Sequence, residues 1–132
     1  MFRRRQHRLP KFPPDAEANF HRLCRELPAS DVPSLLESLR RCVDEILLEA
    51  KHNALIQPPL IEALNSSAKF LLEQYEQFSV AQRRLIIGAV YYFAMNEDGS
   101  PDSALATGFD DDVRIMNYVL EELGVEGMFI DI

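Results

Sequence analysis

Across residues 32–50 the apolar side chains Val32, Leu35, Leu36, Leu39, Cys42, Val43, Ile46, Leu47 and Ala50 recur at steps of three and four. Only a helix returns such positions to one side, because each residue advances about 100° around the axis. The intervening Glu37, Arg40, Arg41, Asp44, Glu45 and Glu49 fall on the opposite side. The segment therefore reads as an amphipathic helix lying on a core, with one face left to water. Ser30 or Asp31 opens it, Pro33 is tolerated in its first turn, and the pattern runs to about His52.

The same reasoning divides the rest of the chain. Asp15 is expected to cap a first helix that carries Phe20, Leu23, Cys24 and Leu27 on one face and stops at Pro28. Pro58 and Pro59 suit the first turn of a third helix, whose buried face runs from Leu60, Ile61 and Leu64 through Leu71 and Leu72 to Tyr75 and Phe78. Ser79 with Gln82 has the spacing of a capping box and opens a fourth helix over residues 80–95. That helix is apolar nearly all round after Arg84, so it is expected at the centre with the others packed around it. Asn96, Gly99, Ser100, Pro101, Ser103 and Gly108 mark a loop. A last helix follows over residues 110–123, with Val113, Met116, Val119, Leu120 and Leu123 inward and Gly124 as a left-handed cap. Residues 125–132 form an apolar tail expected to dock on the bundle or on a neighbour. No alternating strand pattern is present. The expectation is an all-α single domain of about five helices, residues 15–132, behind an extended basic arm, residues 1–14.

A chain of 132 residues can bury one core, and a 47% hydrophobic content argues against a disordered chain. Cys24 and Cys42 lie within helical patterns and read as small reduced core or boundary residues; no Cys-x-x-Cys occurs. No apolar run reaches the roughly 18 to 20 residues of a membrane span. The start Met1-Phe2-Arg3-Arg4-Arg5 lacks the apolar stretch of a secretory signal, so a cytoplasmic location is expected. Charge is uneven. Residues 1–25 carry seven Lys/Arg against two Asp/Glu, residues 26–90 six against nine, and residues 91–132 one against ten, giving +5, −3 and −9 within a net −7. The acidic end repels nucleic acid and anionic lipid. Arg3, Arg4, Arg5, Arg8 and Lys11 could contact either, but read more simply as a solvated arm.

The densest local pattern is Asp98-Gly99-Ser100-Pro101-Asp102 followed by Gly108-Phe109-Asp110-Asp111-Asp112, behind the aromatic stretch Ala89-Val90-Tyr91-Tyr92-Phe93. With this pattern residues 85–123 resemble the YkvA-like family, small bacterial helical domains of unknown function, whose pattern is Asp-x-x-Pro-Asp, five residues, then Gly-x-x-Asp-Asp. Asp98, Pro101, Asp102, Gly108, Asp111 and Asp112 fall on it. The polar Gly99 and Ser100 stand where the family usually carries apolar residues. The resemblance implies a helical region and no particular activity.

Asp98, Asp102, Asp111 and Asp112 are the candidate ligands for a hard divalent cation such as Mg²⁺ or Ca²⁺, which takes carboxylate oxygens and could polarise water or phosphate for hydrolysis. The competing structural role is capping: aspartates in turns and helix starts bind backbone N–H groups. Pro101, Gly108 and Asp110 then shape the turn. An EF-hand does not fit, since Pro101 stands where its Gly belongs and Thr107 where its Glu belongs. His7, His21 and His52 are scattered and read as surface residues; Tyr91, Tyr92 and Phe93 read as core. No nucleophile–base pair, P-loop or dinucleotide fingerprint can be assigned, and no cofactor is expected. The expected function is a non-enzymatic interaction or regulatory module that self-associates or binds another protein. The alternative is a divalent-metal protein using residues 96–112.

Overall fold

The computed structural model describes residues 14–95 and 109–130. Residues 1–13 of the expected basic arm and the loop pattern carrying Asp98, Pro101, Asp102 and Gly108 lie outside them, and Pro14, the last residue of that arm, belongs to the first helix. Among the described residues there are five α-helices and no strand: α1 (Pro14–Leu23), α2 (Val32–Glu49), α3 (Pro58–Glu73), α4 (Val80–Val90) and α5 (Asp110–Glu122). The all-α, single small-domain reading holds.

Several helices end earlier than periodicity alone predicts. The first starts at Pro14, so Asp15 lies inside it, and it stops at Leu23 instead of Leu27. The cause is remote in sequence. The Tyr75 hydroxyl accepts the Leu27 N–H at 2.8 Å and donates to the Leu27 carbonyl at 2.7 Å, drawing this backbone away from a helical path. Pro28 disfavours helical geometry at the same residue. Ala29–Asp31 then forms one 3-10 turn before α2. Beyond Glu49, Lys51 and His52 bond back only three residues, to Leu48 and Glu49, so the helix tightens and ends. In the third segment Tyr75–Gln77 turns as a 3-10 helix, and the α-helix stops at Glu73.

The capping box at α4 is present: Ser79 Oγ accepts the Gln82 N–H at 3.2 Å, and Gln82 Oε1 accepts the Ser79 N–H at 2.9 Å. The helix does not stay α to its end, since Tyr91–Met95 widens into a single π turn. Residues 86–90 are all buried, and α4 packs against α1, α3 and α5. Gly88 lies against Phe20 of α1 and the Cys24 just beyond it. A Cβ there would lie 2.5 Å from Cys24 Sγ and 2.9 Å from the Phe20 ring, so only glycine admits this approach. α2 packs on α3 and on the π turn, which closes the bundle.

At the far end Gly124 is left-handed, with φ of 74°. The Gly124 N–H reaches Glu121 and the Val125 N–H reaches Leu120, a Schellman ending. The tail then turns back onto its own bundle. Asn117, 7% exposed, donates from Nδ2 to the Ile130 carbonyl and accepts the Ile130 N–H at Oδ1, both at 2.8 Å. Ser67 Oγ donates to the Met128 carbonyl at 3.4 Å from α3. Of the two docking places expected for the tail, the structure shows its own bundle.

Candidate functional site

The entry to α5 concentrates the chain's unusual physics. Phe109 precedes the helix with φ of 74°, the one non-glycine residue in the left-handed region among those described. An L side chain is strained there by roughly 1–2 kcal/mol. Packing holds it: Phe109 is buried and meets Phe93 of the π turn edge-on, ring centroids 6.1 Å apart. The strain fixes the direction in which the next three residues, all aspartates, leave the turn.

Those aspartates occupy three different environments. Asp110 is exposed. Asp111 is partly exposed and lies 3.7 Å from the Arg114 guanidinium one turn on. Asp112 is 5% exposed, and its Oδ2 atom is buried with no hydrogen-bond partner. Loss of water raises the Asp112 carboxyl well above the usual carboxylate range; a bond from its own backbone N–H opposes this, and the charges of Asp111 and Asp110 add to it. The helix N-terminus favours negative charge here, but burial without a partner outweighs it.

Cys42, on α2, feels this carboxyl. Burial pushes its thiol up to about 11, with the charges of Glu45 and Asp112 adding to the effect. Cys24 is likewise pushed up to about 11 by burial, and both cysteines are free thiols. At ordinary pH both are protonated, poorly nucleophilic groups at the edge of the core, as the sequence predicts.

No family model, no curated protein and no solved structure matches this chain. The site therefore rests on its own geometry. Asp98 and Asp102, the other two candidate cation ligands, lie outside the described residues with Pro101 and Gly108. Among the described residues no three His, Cys, Asp or Glu side chains gather as a metal-binding group. Within the triple-aspartate turn, only Asp112 turns inward. What this half of the site offers chemically is one sealed carboxyl that holds its proton more tightly than an ordinary aspartate.

The remaining candidates fall into place without chemistry. His21 and His52 are exposed, and His21 lies 3.6 Å from Glu17; His7 is outside the described residues. Phe93 is core, and Tyr91 is half-buried beneath the Arg25 guanidinium, 5.3 Å from its ring centroid. Sequence reasoning missed a second polar knot, around Arg83. Its guanidinium donates to the carbonyls of Tyr75 and Glu76 and to Glu26, and also stands over the Tyr75 ring at 5.4 Å. This knot joins the α1–α2 connection to the start of α4. Its long-range partners carry no local sequence signal. No helix among the described residues is long and apolar enough to cross a membrane.

Proposed function

We propose that this chain is a non-enzymatic interaction or regulatory module that self-associates. The observation that carries the reading is Leu48, 58% exposed in the last turn of α2 beside the charged Asp44, Glu45 and Glu49, with Leu55, 54% exposed, on the connection just beyond. The apolar tail no longer motivates association, since Asn117 and Ser67 hold it on its own bundle; the outer side of α2 takes its place. The likeness of residues 85–123 to YkvA-like domains is compatible with a module of this kind and supplies no activity. Light scattering on the eluting protein tests the proposal: the mean mass should rise above that of one chain as concentration increases. A mass that stays at one chain into the millimolar range contradicts it.

A second reading is favoured by one observation, the orphaned Oδ2 of Asp112. Here a hard divalent cation, Mg²⁺ or Ca²⁺, is taken by Asp111 and Asp112 with Asp98 and Asp102, and serves structure or hydrolysis. Because the Asp112 oxygen is sealed, binding requires the turn to open. Calorimetric titration with each ion should then show saturable heat that disappears in the Asp112→Asn chain. No heat, with unchanged melting in chelator, removes this reading.

A further inference from the structure

The exposed face of α2 carries a pattern that specifies its own partner. About 100° of rotation per residue places Arg41, Asp44, Glu45 and Leu48 along one outward ridge. Lys51 continues it through the tightened turn that ends the helix, since its bond back to Leu48 stacks the two residues; His52, bonded back to Glu49, lies beside the ridge. All six are exposed, and Leu48 stands at the middle. Toward the helix start the ridge is acidic at Asp44 and Glu45; beyond Leu48 it is basic at Lys51, with His52 beside it. A ridge that is acidic on one side of an apolar centre and basic on the other is complementary to itself when turned end for end.

We infer that two copies of this chain pair through α2 in antiparallel fashion about Leu48, with Glu45 of each copy facing the other copy's Lys51. In this register Leu48 meets the second copy's Leu48. The inference rests on the self-association reading and gives it a surface. Charge complementarity selects a second copy over an unrelated partner. Each chain carries a net −7, so two copies approach only where opposite charges are locally matched. The N-terminal part of the ridge is already engaged within the helix: Asp44 pairs with Arg40 at 3.0 Å, and Arg41 lies 3.6 Å from Glu37. That leaves Glu45 and Lys51 as the pair that sets the register. One helix face is a small contact, so the dimer is weak and transient.

The test is a charge exchange read by sedimentation equilibrium. Glu45→Lys and Lys51→Glu each place like charges opposite one another twice in the symmetric pair. Each variant alone should dimerise about tenfold more weakly than the parent chain, or worse. An equimolar mixture of the two should recover dimer, because opposite charges then meet at both positions. Leu48→Ser should weaken both the parent dimer and the mixed dimer. Circular dichroism should show all three variants folded, since these side chains are exposed. If the parent dimerises and the charge variants do so equally well, the α2 surface is overturned while self-association stands. If the parent is a monomer throughout, both fall.

Discussion

Asn117→Ala is expected to destabilise the fold by about 2–4 kcal/mol, the largest loss we predict for a single polar side chain. The amide satisfies both the N–H and the carbonyl of Ile130 from a buried position. Truncation leaves two backbone groups without partners, each worth roughly 1–3 kcal/mol when stranded away from water. The tail then gains most by lifting off, which uncovers Ile130, Met128 and the α3 side chains beneath. Urea unfolding should show a lower midpoint, and hydrogen exchange should show lost protection at Ile130 and Val125. Asn117→Asp separates the two bonds: its carboxylate can still accept the Ile130 N–H but cannot donate to the carbonyl. It should fall between the parent and Asn117→Ala in acid, where it can carry a proton. A midpoint for Asn117→Ala within error of the parent would mean that the tail is held by its apolar contacts alone.

Asp112→Asn should act in the opposite sense and stabilise the protein, by about 1–2 kcal/mol at pH 8. The folded state holds the Asp112 proton more tightly than the unfolded chain, where the group titrates near its ordinary value of 3.8. The stability linked to this proton is therefore complete below that ordinary value. It declines as pH rises through the raised folded pKa, because the unfolded chain is then free to ionise and the folded one is not. This is the reverse of a salt-bridged aspartate. An asparagine has no such proton to lose, so the variant's stability should be flatter on the alkaline side and should meet the parent's near pH 4. The measurement is unfolding free energy against pH for both chains in chelator. Parallel curves across this range would show that Asp112 is not buried as described.

The two substitutions mark where sequence was informative and where it was not. The stripe of α2, the Ser79–Gln82 capping box and the left-handed Gly124 are local signals. Each depends on residues within a turn or two, so spacing alone reveals it. The early stop of α1 depends on Tyr75, which bonds Leu27 from 48 positions away, and no spacing rule reaches that far. The tail's place depends on Asn117 in the same way. The π turn at Tyr91–Met95 reads in sequence as more of the same apolar helix. At the candidate site, helical spacing puts Asp112 on the face of Met116 and Val119, four and seven residues on, and leaves Asp110 and Asp111 off it; that the Asp112 Oδ2 finds no partner there is not legible from spacing. Leu48 falls outside the apolar stripe of α2 by spacing, and the structure leaves it exposed.

Sedimentation equilibrium of the unaltered chain, over concentrations from low micromolar to millimolar at moderate salt, tests the central claim most directly. Pairing through α2 predicts a single monomer–dimer equilibrium whose apparent mass climbs toward two chains, and whose affinity falls as salt screens the Glu45–Lys51 contacts. A mass fixed at one chain across that range, or an assembly that grows past two, would contradict it.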